Sequence, residues 1–392
     1  MTATPVKAFA HALASLRLTV ALFALAMFLI FAGTLAQVHA GIWDVMGQYF
    51  RTPIAWIELQ LFVPQQFASV AGSIPFPGGY TLGGLLILNL LAAHAIRFKL
   101  AARRAGIIIL HLGIIVLLLG EFVTGLFAEE GLMTIYQGGH AQYVEDVREA
   151  ELAILDRSDP ELDRVVAIAE HKLRGGGKPI AHEALPMTIT VDRWYPNARP
   201  VPRAEGEQSP ADRGAGLEYV VNALPRARGV DGAEIDSPAA YITLHRDGER
   251  LGTWLVSELL GPSQSVEVAG RTYHLSLRFK RTYKPYTMHL VEFRHDRFVG
   301  TERPRNFSSR IRLVDPTQNE DREVVISMNN PLRYAGSTFY QSAYLQDDAG
   351  TVLQVVRNPG WLLPYIACGL VALGMLMHFG QRLWQFAGRA GR

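Results

Sequence analysis

The chain has 392 residues, with 38 Lys and Arg against 36 Asp and Glu, and its apolar fraction is 49%. A single cysteine excludes an intramolecular disulfide framework and any Cys-rich zinc or iron–sulfur site. A net charge of +2 is too balanced to argue for a nucleic-acid partner, and length alone suggests more than one domain. Apolar and charged residues are nevertheless segregated along the chain, so these averages describe no part of it.

A hydrocarbon core of about 30 Å needs roughly 20 mostly apolar helical residues. Taken in order, residues 16–37, 80–98, 106–127 and 361–379 meet that requirement and predict transmembrane helices. Lys7 and Arg17 flank the start of the first span, Arg97, Lys99, Arg103 and Arg104 fill the turn between the second and third, and Arg382, Arg389 and Arg392 follow the fourth. The loop 41–79 between the first two spans holds Arg51 as its only Lys or Arg. The positive-inside rule then puts both termini in the cytoplasm and the region 128–360 outside it. Tyr80, Trp361 and Tyr365 stand where an outer aromatic belt is expected. Val38-His39-Ala40 would suit signal cleavage, but the preceding apolar run exceeds the usual length of about 7–15 residues, so an uncleaved span is expected.

Loop 41–79 mixes Trp43, Phe50, Trp56, Phe62 and Phe67 with few charges, which suits a segment lying partly along the membrane surface. Within 128–360, short alternating segments rich in β-branched and aromatic residues recur between turn signals: 187–194, 240–244, 265–268, 272–279, 288–293, 310–314, 323–326 and 338–344. Strand follows strand without a helical crossover. The expectation is a large antiparallel β-rich domain of sandwich or barrel type, with Gly175–Gly177 and the run through Pro196, Pro200, Pro202 and Pro210 as loops. The domains are therefore 1–127 with three spans, 128–360 outside, and 361–392 with the fourth span and a basic tail.

Polar residues inside a span invite a functional reading. The spans contain His94, His111, Glu121, His378 and Asn89. At 1.5 Å per residue from the nearest inner basic residue, His111 lies roughly 10 Å deep, His378 about 6 Å and His94 about 4.5 Å. Removal from water disfavours imidazolium, and neutral imidazole is the form that ligates haem iron. His111, the deepest, is the candidate axial ligand; His94 and His378 are further cofactor-binding candidates, although both also suit an interfacial position. Arg97, Lys99, Arg103 and Arg104 could pair with propionates or with lipid headgroups. Asn89 suits a helix-packing contact, and Glu121 either an outer-leaflet carboxyl with its own partner or a role in ligand passage. Gly106, Gly113 and Gly120 form a smooth stripe on the third span that a neighbouring helix can approach. His111 precedes Gly113 by two residues, roughly 200° around the axis, so it points away from that seam.

The histidines of the outer region, His289 and His295 among them, suit solvated or core positions better than a metal site. Tyr283, Tyr286 and Met288 suit core or rim, and Cys368 a small apolar packing residue. No nucleophile elbow, phosphate-binding glycine loop, HExxH or Cys-x-x-Cys-His is present.

Several segments in fixed order resemble the ResB (CcsB) family of system II cytochrome c biogenesis proteins: residues 15–20 (SLRLTV), 33–35 (GTL), 88–94 (LNLLAAH), 111–120 (HLGIIVLLLG), 329–344 (NNPLRYAGSTFYQSAY) and 358–361 (NPGW). The resemblance implies a bacterial inner-membrane subunit of a machine that moves haem across the membrane and attaches it to apocytochrome c. It implies haem b bound or carried with a partner, and His111 matches the family's haem-ligating position. It also implies a CcsA/ResC-type partner bearing a tryptophan-rich haem-handling segment, which is missing here because Trp43, Trp56, Trp194, Trp254, Trp361 and Trp384 are scattered. The chain is thus not expected to catalyse haem attachment alone. Thiol-reducing proteins are expected nearby, since thioether formation needs reduced cysteines on the apocytochrome. Residues 329–344 are a candidate contact surface close to the membrane. Two other readings are a b-type cytochrome electron-transfer subunit, which wants histidine pairs near both faces, and a non-haem anchor presenting a protein-binding β-domain.

Overall fold

Long apolar runs with no internal breaker become continuous helices, and the computed structural model shows them at the expected places. It describes residues 5–63, 68–97, 101, 104–159, 162–227, 235–261, 264–298, 300 and 304–390. Phe67, Phe98, Lys99, Arg103 and Arg392 lie outside the described residues, as does the side chain of Arg97. The helices are α1 (Pro5–Leu13), α2 (Leu16–Ala36), α3 (Ile42–Val45), α4 (Gly79–Arg97), α5 (Ala105–Phe127), α6 (Glu170–Leu173) and α7 (Leu363–Ala390). Of these, α2, α4, α5 and α7 are long and apolar enough to cross a bilayer. Their outer faces leave large apolar side chains uncovered, such as Phe23, Leu91, Leu117 and Leu376.

Helix α7 begins later than Trp361. The Asn358 side-chain oxygen accepts from Gly360 N at 2.8 Å and holds a turn there, and Pro364 fits the first helical turn, where its missing N–H costs nothing. No proline follows Phe379, and the helix continues through Gly380 to Ala390. Asn89 is buried in α4 and satisfied: its amide nitrogen donates to Leu13 O and, at 3.2 Å, to Ser15 O, while its oxygen accepts from Thr19 Oγ1 at 2.6 Å. It fastens α4 to the junction of α1 and α2.

The strands are β1 (Ile54–Glu58), β2 (Ser73–Pro77), β3 (Glu129–Tyr136), β4 (His140–Asp156), β5 (Arg164–Ala169), β6 (Thr188–Tyr195), β7 (Ala198–Pro202), β8 (Tyr219–Ala223) and β9 (Ala239–Arg246). They continue with β10 (Glu249–Ser257), β11 (Gln264–Val268), β12 (Arg271–Arg297), β13 (Pro304–Asp315), β14 (Glu320–Ser327), β15 (Leu332–Tyr334), β16 (Ser337–Tyr344) and β17 (Gly350–Arg357). Every segment expected to be a strand falls on one, with Met187 just before the start of β6. Two expected loops carry pairing as well: β1 and β2 form a hairpin inside 41–79, and β7 pairs with β8 in the proline-rich run. Pro200 and Pro202 are tolerated there because a two-stranded ribbon has edges on which no ladder donor is needed.

The described residues group into two units, one up to Glu129 and from Arg357 onward, the other between Glu130 and Val356. The second unit contains a large antiparallel sheet in the order β14-β13-β12-β4-β3-β17-β16-β15, with β5 and β11 branching from β4 and β12. A bridge between Ser327 and Asn330 links the ends of β14 and β15 and brings the sheet close to a barrel. One core fills it, with Met133, Tyr286, Met288, Leu290, Ile311, Leu313, Phe339 and Leu353 facing inward from five of the strands. A second core lies where the three-stranded sheet β10-β9-β6 covers the other halves of β4 and β12, around Leu152, Ile154, Ile189, Ile242, Trp254 and Leu275.

Two segments expected as separate strands, 272–279 and 288–293, are one strand of 27 residues. Together β12 and β4 run through both cores, with a register shift between Phe279 and Arg281 at the passage. Ion pairs line that passage: Arg278 with Glu151 at 2.9 Å, Lys280 with Glu149 at 2.8 Å and Arg281 with Glu145 at 2.9 Å. The charges of opposite sign on the two strands pair across the ladder and so continue it.

Candidate functional site

Helix α5 uses two faces for two purposes. Its buried residues are Gly106, Gly113 and Gly120, and all three meet α7. A Cβ at Gly106 would lie 2.6 Å from the backbone nitrogen of His378, one at Gly113 would lie 2.7 Å from Val371 Cγ2, and one at Gly120 would lie 2.9 Å from Leu363 Cβ. The seam therefore tolerates no side chain. His111 faces elsewhere, toward α4, where its Nδ1 lies 3.2 Å from Nε2 of His94. The two rings are nearly perpendicular, at 86°, with centroids 4.9 Å apart.

The hydrogen-bond partners assign the protons. Nδ1 of His94 is 2.8 Å from the carbonyl oxygen of Leu90, which can only accept, so that nitrogen is the donor. In a neutral ring the Nε2 of His94 then carries the lone pair and accepts from Nδ1 of His111. The lone pair of His111 is left on its Nε2. A relay of carbonyl, imidazole and imidazole thus orients His111 and fixes its tautomer, as an outer-shell partner does for a ligating histidine.

This donor set fits one axial bond to haem iron through Nε2 of His111. It does not fit both histidines on one iron. Two axial nitrogens each about 2.0 Å from a metal stand roughly 4 Å apart with the metal between them, whereas here 3.2 Å is spanned by a direct hydrogen bond. Counting residues from the inner turn puts His111 deeper than His94, yet the two rings meet directly. The structure does not bring His378 to the pair. Its backbone abuts Gly106 on the α7 side of the seam, and its ring meets Phe379 at 5.5 Å between centroids. Glu121 and Cys368 are exposed, and Arg104 immediately precedes α5.

Among the described residues no cluster of three or more His, Cys, Asp or Glu is arranged to hold a metal. Two histidine arrangements in the strand-rich unit escaped sequence reasoning, because their partners are distant in the chain. His295 is buried and gives its Nδ1–H to the Asp348 carboxylate at 2.7 Å, within a box of Phe293, Phe307 and Tyr344. His289 stands beside His140, with ring centroids 5.3 Å apart. Burial first, then the neighbouring His140 and the Arg312 cation, hold His289 below the ordinary histidine range. Tyr286 and Met288 are core residues and Tyr283 is exposed; burial pushes the Tyr286 hydroxyl up to about 12.

Residues 250–352 match the ResB-like family. That segment runs from β10 into the start of β17 and includes His289, His295 and residues 329–344. The chain is also similar to Protein NrfI of Wolinella succinogenes, 37% identical over 92 residues. The aligned stretch is 24% of this chain and 10% of NrfI, so it represents a small part of that relative. The chain therefore resembles the ResB-like family, and the match is carried by residues 250–352 of the strand-rich unit.

Proposed function

We propose that this chain is a membrane subunit of a bacterial cytochrome c maturation complex, and that it handles haem with a CcsA/ResC-type partner. The match of residues 250–352 to the ResB-like family supports the cytochrome c biogenesis role. The observation that carries the haem assignment is the hydrogen bond from His111 to His94. It holds an imidazole of α5 in one orientation within an apolar helix pair, and a polar side chain placed in a span points to function.

In this reading Nε2 of His111 would hold the haem iron, with His94 and Leu90 O orienting the ring, and a histidine of the partner would complete the ligation. His378 takes no part in ligation. Bound haem supplies the group that is finally attached to the apocytochrome. This chain's residues bind and orient it and keep water from it between α4 and α5. Arg104 favours propionates at the inner surface, with both termini on the cytoplasmic side. The strand-rich unit lies outside the cytoplasm and holds the partner or the apocytochrome, with residues 329–344 as one contact surface. Thiol-reducing proteins keep the client's cysteines ready.

The test is an absorption spectrum of the purified chain alone and with its partner, for wild type and for His111→Ala. The haem band is expected in the assembled complex and lost in His111→Ala while the complex still forms. An undiminished haem band in the variant overturns the ligand assignment. Absence of haem from every preparation leaves a tethered protein-binding domain.

A further inference from the structure

We propose that His140 and His289 form a two-histidine site for a first-row transition-metal ion of the Ni(II), Cu(II) and Zn(II) group. The site goes beyond the haem reading and shares no residue with it.

His140 opens β4 and lies directly opposite His289 of β12 in the antiparallel register. Met288 and Leu290, the neighbours of His289, are buried in the barrel core at 0% and 1% exposure. Strand alternation then sends the His289 ring to the outer face, where His140 is also exposed. The pair is held by a dense set of bonds. Gly138 N donates to Leu290 O at 3.1 Å and Leu290 N donates to Gly139 O at 3.0 Å. Gln137 Nε2 donates to Val291 O at 3.3 Å, and Phe293 N donates to Gln137 Oε1 at 3.0 Å. The two strands cannot slide at this point without breaking all four.

The ring separation permits a shared ion and excludes a haem between the rings. With a metal–nitrogen bond of about 2.0 Å and roughly 1.1 Å from nitrogen to ring centre, two imidazoles on one tetrahedral ion have centres about 5.1 Å apart. Two axial ligands on opposite faces of a haem would be roughly 6.2 Å apart by the same arithmetic. The observed 5.3 Å agrees with a shared ion and not with a haem between the rings. Among the described residues neither ring has a hydrogen-bond or ion-pair partner that ligation would have to break. Arg312, opposite His289 on β13, is the cation that faces the site. Its guanidinium is held by both oxygens of Asp321, at 2.7 and 2.6 Å, which offsets its charge. With two imidazoles and no third protein ligand among the described residues, borderline ions that favour nitrogen are preferred over calcium or magnesium, and the remaining positions stay open to water or to a donor from a partner.

The experiment titrates the purified full chain in detergent with Cu(II), Ni(II) or Zn(II) against a chromophoric chelator. Wild type is expected to take up one ion that His140→Ala and His289→Ala each weaken by at least about tenfold, and that His111→Ala leaves unchanged. Electron paramagnetic resonance of the Cu(II) form gives a second readout, with coupling to two imidazole nitrogens in wild type and to one in either variant. Both rings face outward, so the melting temperature of the metal-free variants is expected to match wild type. Uptake that survives both substitutions, uptake lost equally in His111→Ala, or no stoichiometric uptake by wild type overturns the proposal. The haem reading is untouched by any of these results.

Discussion

Nε2 of His94 accepts the Nδ1–H of His111 across 3.2 Å, and His94 in turn is anchored by Leu90 O at 2.8 Å. The two histidines therefore have unequal roles, and substitutions separate them. His111→Ala is expected to abolish haem retention in the assembled complex. His94→Ala leaves the ligand in place but unoriented, and retention is expected to fall by roughly 10–100-fold without vanishing. Haem titration by difference spectroscopy reads both. Equal and complete loss in the two variants would mean that His94 ligates directly.

A second expectation concerns the seam between α5 and α7. Any Cβ at Gly113 would approach Val371 Cγ2 to 2.7 Å and Ala367 O to 2.8 Å, so both a side chain and backbone must move. Gly113→Leu is expected to part the helices and lower the yield and detergent melting temperature of the folded chain. His111→Ala, on the opposite face, is expected to leave them unchanged. Size-exclusion profiles and thermal melts distinguish the two.

The strand-rich unit offers a test of its central ladder. The side chains of Arg278 and Glu151 are only 10% and 8% exposed and lie 2.9 Å apart. Removing one member strands a buried charge, so Arg278→Ala is expected to destabilise by about 3–5 kcal/mol. Lys280→Ala, whose partner Glu149 is largely exposed, is expected to cost at most about 1 kcal/mol. Denaturant titration of the two variants compares them directly.

Acid stability provides the last prediction. Hydrogen bonds from the Thr317 and Tyr334 side chains hold the Asp315 carboxyl below the usual carboxylate range. A depressed folded-state pKa contributes stability that is present above the unfolded value of about 3.9 and lost as pH falls through the folded value. Asp315→Asn is expected to lower the melting temperature at neutral pH and to flatten its acid dependence below about pH 4. Parallel slopes for wild type and variant in that range would remove Asp315 from the account.

Much of the architecture is local in origin and so was legible along the chain. An apolar run about as long as the bilayer is thick must be a helix in lipid, because nothing else there satisfies its backbone. The spacing of Gly106, Gly113 and Gly120 reveals a close helix contact before the partner is known, and two-residue alternation marks strands such as β6 and β9. Strand ends were less legible where charges interrupted the alternation: Lys280 and Arg281 follow the expected strand 272–279, and their partners Glu149 and Glu145 sit more than a hundred residues earlier.

By itself the sequence determined where the spans lie, which face of α5 packs against a helix, and that the remainder is β-rich, since each follows from neighbours within a few turns or a few strand residues. Which histidines meet is a property of the folded chain. His94 with His111, His140 with His289 and His295 with Asp348 are separated by 17 residues, by about 150 residues and by 53 residues. Their proximity depends on helix crossing and strand register, which the whole fold sets and no local pattern encodes.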